Sequence, residues 1–449
     1  VFHPLNKKLR SSLCDGAVMV TASHLPADRN GMKFFTLKGG YTKMQIQRLV
    51  AIAKVHAGRW YDMGILPPTS GDGAVYCSRW VDFMPVYELR LKQQMVKEVH
   101  EEAKTDENAL SQTLKDLKIV LNAGSGSGGF FRRVLEDLGA DVSASIHTTP
   151  DSNFPNGYIP NPESDVMIEE TMRICEESSA DIGIMLDTDA DRCGFVVPRT
   201  VRADGTRADY EPLGRNRLIA LLGVMFSKQS PGCAIVTDSV TSNGLATFLK
   251  ENLGLVHVRY LKGYANVINK AKELTQSGVV NAEVAIETSG HCAMKENDYL
   301  DDGTYTAVKV VGLLAKEKTK HPTLSLLDLI KDMTEMDEVS ELRMPTMDGT
   351  LETTQRMFDF IALEIEQQCE SNIYWTIDQE NLEGIRVSTG ADGGFFMLRK
   401  SLHDPVISLQ IEASSKECAR DIVVQPLMQL LQMDPEIYSV LHLSALKEY

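Results

Sequence analysis

Three times along this chain an apolar strand runs into a Gly- or Ser-rich turn and then an amphipathic helix, and few folds accept that grammar. Residues 17–20 lead into Thr21-Ala22-Ser23-His24, with a helical stretch over 43–56. Residues 118–121 lead into the glycine run 122–129 and a helix over 130–138 that Gly139 stops. Residues 233–237 lead into 238–242 and a helix over 244–252. Alternation of this kind implies parallel sheets sandwiched by helices. Further strands are expected over 142–147, 182–186, 194–197, 256–260 and 283–286. After about residue 344 the order becomes a helix (352–369), strands (385–387, 395–399, 406–411) and a helix (416–432), which reads as α+β. Four domains are therefore expected, over 1–105, 106–210, 211–340 and 341–449.

Charge narrows the partners. Lys plus Arg number 46 against 62 Asp plus Glu, a formal net charge of −16 with no concentrated basic patch, so nucleic acid is not an expected partner. The longest apolar run, 218–226, is too short to span a bilayer, and no membrane partner is expected. Eight scattered cysteines form no CxxC, which argues for neither a zinc site nor a disulfide framework and suits a reducing compartment. The chain opens on Val1 with no apolar leader behind it, so its N-terminus is read as incomplete.

Asp187-Thr188-Asp189-Ala190-Asp191-Arg192 follows the strand 182–186. Three carboxylates at alternate positions on one loop can converge on a hard cation, and oxygen donors suit Mg²⁺. An EF-hand would need Gly in place of Arg192 and Glu in place of Pro198, so calcium-loop chemistry is excluded; a solvated acidic loop is the plainer alternative. Thr21-Ala22-Ser23-His24-Leu25-Pro26, with Asn30-Gly31-Met32-Lys33 behind it, lacks a nucleophile elbow and is a poor hydrolase triad. A serine that carries a phosphoryl group beside Mg²⁺, with His24 and Lys33 stabilising charge, fits better, against the alternative of a capped turn. Gly124-Ser125-Gly126-Ser127-Gly128-Gly129 satisfies GxGxxG, but the strand expected over 142–147 ends in Thr148, Thr149 and Pro150 without an acidic residue. A nicotinamide site is thus a runner-up, and a structural glycine turn is preferred. Glu287-Thr288-Ser289-Gly290-His291 groups hydrogen-bonding side chains suited to sugar hydroxyls, and residues 399–405 put Arg399, Lys400, Ser401 and His403 on a turn suited to phosphate or simply to solvent.

In that order these segments resemble the α-D-phosphohexomutase superfamily of phosphoglucomutases, phosphomannomutases and phosphoglucosamine mutases. Thr21–Pro26 with Asn30–Lys33 looks like its phosphoserine loop, 187–192 like its magnesium loop, 151–162 like the connector before that loop, 287–291 like its sugar loop and 399–405 like its phosphate loop. The resemblance implies three α/β domains of mixed sheets flanked by helices and a C-terminal α+β domain around a central cleft. It implies interconversion of hexose 1-phosphate and hexose 6-phosphate, glucose first and mannose second, through phosphorylated Ser23 and a bisphosphorylated sugar. It assigns Mg²⁺ to Ser23, Asp187, Asp189 and Asp191, catalytic roles to His24, Lys33, Arg192 and His291, and substrate contacts to Glu287, Ser289, Arg399, Ser401 and His403. Glucose 1,6-bisphosphate is the implied activator, and a monomer or homodimer is the implied assembly. The alternative is a sugar-phosphate-binding regulatory homologue with weak turnover.

The chain departs from the family pattern at Leu25, at Ile286 and at Leu402-His403, where the family carries Asn, a small residue and a small hydroxyl-rich turn. The opening strands of the first domain, with a basic substrate loop, are expected to be missing. The pattern looks most like a branch with plastid-associated plant and algal members, so cytoplasm or plastid stroma is the expected location.

Overall fold

A computed structural model describes residues 14–37, 39–62, 80–100, 111–390, 393–401, 404–433 and 435–449. The expected boundary near residue 105 and the loop residues Leu402 and His403 lie outside the described residues. Four sheets follow one another along the chain.

The first is an antiparallel ribbon of β1 (Gly16–Val20), β2 (Met32–Thr36) and β3 (Gly39–Gly40), followed by the helix Lys43–Asp62. Its turn carries residues 21–31, so the Ser23 loop joins two hairpin strands and does not run straight into a helix. The second sheet is β4 (Ile119–Asn122), β5 (Ile182–Leu186), β6 (Cys193–Val201) and β7 (Arg207–Pro212), parallel between β4 and β5 and antiparallel beyond. The third orders β8 (Ala234–Asp238), β9 (Val256–Tyr260), β10 (Ala282–Ile286), β11 (Cys292–Met294) and β12 (Leu300–Asp301) as β12-β11-β10-β8-β9, with β9, β8 and β10 parallel. The fourth is wholly antiparallel: β13 (Glu338–Pro345), β14 (Thr376–Ile377), β15 (Ile385–Ser388), β16 (Phe395–Lys400) and β17 (Val406–Ala413) in the order β13-β17-β16-β15-β14.

The strand expected over 142–147 does not form. Val142 and Ser145 close a turn, and the Ser145 hydroxyl accepts the Leu121 N–H at 3.0 Å that a neighbouring strand would have paired, leaving isolated bridges at Asp141 and Ile146. The glycine run packs against the metal loop instead of opening a pocket. A Cβ on Gly126 would sit 2.8 Å from the Thr188 carbonyl, one on Gly128 2.6 Å from Leu186 Cδ1, and one on Gly129 1.8 Å from the Thr148 carbonyl.

The second and third sheets share one hydrophobic core. Leu91, Met95, Leu121, Phe131, Ile184 and Phe195 continue without a break into Leu221, Ile235, Val284, Val308 and Leu314. The helix Gly303–Lys318 runs through it, with all but two of its residues buried. Lys309, wholly buried on that helix, is neutralised by Glu98 at 2.5 Å and Glu296 at 2.6 Å, as a buried ammonium requires. The fourth sheet has a separate core, from Met344, Ile361 and Trp375 to Leu446, and among the described residues a small buried patch of Val240, Phe395 and Met397 joins it to the third. No helix among the described residues is long and apolar enough to cross a membrane.

Candidate active site

The site gathers at the carboxyl ends of parallel strands, where open α/β sheets hold their ligands. β5 is buried on both faces, so the first position free to leave the sheet is Asp187, and the loop turns on Ala190 at φ +60°. Arg192 closes it: its backbone N–H donates to Asp187 Oδ1 at 3.1 Å and its Nε to Oδ2 at 2.8 Å. Both side chains are nearly inaccessible, which fixes the loop as a unit. Oxygens of Asp187, Asp189 and Asp191 lie within 4.8 Å of one another. Burial and the charge of Asp191 push the Asp187 carboxyl up to about 7, against the pull of Arg192. Oδ1 of Asp189 and Oδ1 of Asp191 are buried without a hydrogen-bond partner, and three crowded carboxylates with spare buried oxygens fit a small divalent cation.

The Ser23 loop reaches this cluster from the first sheet. Thr21 Oγ1 donates to Asp189 Oδ2 at 2.8 Å and accepts the Ser23 N–H at 2.9 Å. Ser23 has φ +54°, a left-handed conformation that serine seldom adopts, and its hydroxyl lies 3.2 Å from His24 Nδ1. Burial and then Arg192 hold the His24 imidazole below its usual range. From β2, Lys33 Nζ lies 2.8 Å from Asp191 Oδ2 and 3.5 Å from Asp189 Oδ2. Burial alone would lower the Lys33 amine, but the Asp191 pairing and Asp189 keep it above the ordinary lysine range.

The loop of residues 287–291 follows β10. Gly290 at φ +93° lets the chain reverse, and His291 forms an antiparallel bridge with Arg192 that ties this loop to the metal loop. His291 Nδ1 is 2.9 Å from Ser289 Oγ and 3.6 Å from Glu287 Oε2, and Nε2 is 3.6 Å from Asp191 Oδ1. Burial lowers His291 to about 4, leaving a neutral imidazole, while burial and Asp238 raise Glu287 to about 7. Glu287 Oε1 accepts the Gly263 N–H at 2.6 Å. A protonated amine and a neutral imidazole thus flank the same carboxylate, an arrangement able to move protons in both directions.

Ser23, His24, Lys33, Asp187, Asp189, Asp191, Arg192, Glu287, Ser289 and His291 therefore form one continuous contact network. Arg399 lies at the end of β16, its Nη1 3.6 Å from Glu383 Oε1, and it joins that network through Glu383, whose Oε2 accepts the Lys262 N–H at 2.9 Å next to Gly263. Ser401 pairs its N–H with the Val406 carbonyl at 2.9 Å and its Oγ accepts the Asp404 N–H at 3.1 Å. Of the departures, Leu25 is half exposed, and Ile286 is turned wholly into the core. Sequence reasoning missed Tyr264, whose ring stacks on His291 at 5.4 Å and lies 5.6 Å below Lys33 Nζ. It also missed Asp301, whose oxygen lies within 4.8 Å of ligand atoms of Asp191 and His291. The Asp301-Asp302-Gly303 triplet was the one visible signal for the latter, and Gly303 N–H donates to the Ala190 carbonyl of the metal loop at 3.0 Å.

Fold and loop order place this chain among the α-D-phosphohexomutases. Profiles of phosphoglucomutase/phosphomannomutase α/β/α domains I, II and III match residues 5–56, 96–200 and 215–334. The chain belongs to the phosphoglucomutase/phosphomannomutase family, and its enzyme class is that of a phosphohexomutase isomerase. It is 26% identical over 422 residues to a phosphomannomutase/phosphoglucomutase of Pseudomonas putida, spanning 94% of this chain and 77% of that one. A Burkholderia thailandensis phosphoglucomutase/phosphomannomutase family protein superposes with TM-score 0.66 at 22% identity, over 93% of this chain and 76% of that one. An Aspergillus fumigatus N-acetylphosphoglucosamine mutase in complex with GlcNAc-6P and magnesium superposes with TM-score 0.57 at 13% identity, over 93% and 88%.

Proposed function

We propose that the chain interconverts hexose 1-phosphate and hexose 6-phosphate, glucose foremost and mannose second, by way of phosphorylated Ser23 and a bisphosphorylated sugar. The observation that carries this reading is the convergence of a strained serine, three carboxylates and Lys33 from two sheets: Thr21 bonds Asp189 and Lys33 bonds Asp191. A simple binder has no need of a nucleophile held against a metal loop.

Ser23, Asp187, Asp189 and Asp191 would hold Mg²⁺, which when bound neutralises charge on the transferring phosphoryl oxygens. Arg192 fixes Asp187 and, with His24, faces the phosphoryl group. Lys33 carries the proton exchanged with the sugar hydroxyl, and neutral His291 accepts one from the opposite side of Asp191. Glu287 and Ser289 hold hydroxyls shared by the two substrate orientations, and Arg399 and Ser401, with His403 by sequence, hold the phosphate that is not in flight. The cofactor of this scheme is Mg²⁺, and glucose 1,6-bisphosphate primes Ser23.

A coupled assay on the chain tests it, with Mg²⁺, a catalytic amount of glucose 1,6-bisphosphate and glucose 1-phosphate, beside Ser23→Ala. Glucose 6-phosphate is expected from the parent and not from the variant. Equal turnover by both would refute the phosphoserine, and mannose 1-phosphate in a parallel run ranks the two sugars.

A further inference from the structure

Glu383 stands in the turn before β15 and touches three cationic or donor groups. Its Oε2 accepts from Ser239 Oγ at 2.5 Å and from the Lys262 N–H at 2.9 Å, both in the loops that follow β8 and β9. Its Oε1 lies 3.6 Å from Arg399 Nη1. Arg399 is nearly buried, and its Nε has no hydrogen-bond partner, so the guanidinium is under-satisfied where it lies. We propose that Glu383 is a latch: its carboxylate occupies the anion position at Arg399 between turnovers, fastens the C-terminal unit to the third sheet, and must yield Arg399 to the phosphate of the incoming sugar.

This rests on the reading that Arg399 holds the non-transferring phosphate. A carboxylate offers Arg399 one charge at a distance too long for a good hydrogen bond. A phosphate dianion offers nearly two charges and more oxygens, and can reach Nε as well. Exchange of one anion for the other is therefore downhill, but less so than binding to a bare guanidinium. Once phosphate is bound, its repulsion of Glu383 weakens the bonds to Ser239 and Lys262, the polar contacts between the two units nearest this arginine. The consequence is a substrate held less tightly than the phosphate cradle alone would hold it, and released faster after each half-reaction.

Glu383→Gln keeps an oxygen for Ser239 and Lys262 and removes the charge. The expected result is a KM for glucose 1-phosphate and an inhibition constant for inorganic phosphate both lowered about three- to tenfold, with kcat lowered as release slows. In an Arg399→Gln background, Glu383→Gln should leave phosphate inhibition unchanged. If Arg399→Gln alone leaves KM and phosphate inhibition at parent values, the phosphate reading of Arg399 fails and the latch with it. If Arg399→Gln weakens phosphate but Glu383→Gln leaves both constants unchanged, or raises them as loss of a purely structural contact would, the latch alone is overturned. Should Glu383→Gln not fold, Ser239→Ala decides the matter: by loosening Oε2 it should tighten inorganic phosphate about twofold, and no change or a weakening overturns the proposal.

Discussion

Replacing Lys33 with methionine should strengthen metal binding while abolishing most turnover. Lys33 Nζ is 2.8 Å from Asp191 Oδ2 and 3.5 Å from Asp189 Oδ2, so it supplies part of the positive charge that the carboxylates require. A divalent cation entering the cluster meets this ammonium at close range. A unit charge about 4 Å from a divalent cation is worth about 2 kcal/mol in water and about 8 kcal/mol at an effective dielectric of 20. The Lys33 side chain is 26% exposed, and screening places its effect toward the lower figure. With about 1.4 kcal/mol to each tenfold, the variant should bind Mg²⁺ about thirtyfold more tightly. The same substitution removes a proton donor, which should lower kcat by a factor of about 10²–10⁴. Titration calorimetry with Mg²⁺ on both proteins measures the first effect and the coupled assay the second. Weaker Mg²⁺ binding in the variant would refute the placement of Lys33 against the metal carboxylates, and an unaltered kcat would refute its role in proton transfer.

Three further outcomes follow from the packing. Gly129→Ala forces a Cβ to within 1.8 Å of the Thr148 carbonyl, so denaturant unfolding should show a loss of at least about 3 kcal/mol, the upper end for overpacking. Arg386, wholly buried, donates to the Ser239 and Thr241 carbonyls and to Asn243 Oδ1, each at 3.0 Å; Arg386→Leu takes this donor from the two buried carbonyls, while Arg259 still reaches Asn243 and Asp378, and should cost about 3–5 kcal/mol, with Lys failing to restore the forked contacts. His257, bonded to Thr237 Oγ1 at 2.9 Å, is held down to about 3 by burial and by Arg259 and Arg386. Its unfolded form binds a proton near 6.5 while the folded form does not, so stability is full above that pH and falls as pH drops from about 6.5 toward 3. Melting temperature against pH should therefore decline less steeply below pH 6.5 in His257→Gln; parallel curves would show that this residue plays no part in the acid loss.

Much of this fold is legible residue by residue because the second and third units write strand, turn and helix close together in the chain. Part of what escaped the reading was written at the edges, although the central β2 and the interior β11 escaped it as well. β7 and β13 carry Arg207, Asp209, Glu338, Glu341 and Arg343, and both lie at the rim of their sheets, where charge on the outward face blunts the edge and hides the strand's alternation. The opposite error, a strand expected over 142–147, arose because apolar residues alternate there while Ser145 quietly takes the N–H that pairing required. The site divides in the same way. Residues that sit together in one loop, such as Asp187, Asp189 and Asp191, are visible as a pattern. Tyr264, Glu383 and Arg386 act on loops more than twenty residues away, and no local spacing announces them.

The cores explain why those long-range residues fall where they do. The second and third sheets share one continuous apolar cluster, so the loops 187–192 and 287–291 are fixed relative to each other, with the Arg192–His291 bridge as their visible seam. A shared core of that size resists sliding, because interiors are close-packed and any shift opens voids. The C-terminal unit has no such tie. It has its own core, and among the described residues the buried apolar contact with the third sheet is Val240 against Phe395 and Met397. Around that patch the contacts are polar: Arg386, Gln410 to the Val240 carbonyl at 3.1 Å, Arg399 by way of Glu383. Polar contacts can be exchanged for others of similar strength, whereas a continuous core cannot. The division of apolar and polar contacts thus leaves the C-terminal unit as the part whose seam with its neighbour can change without opening a core.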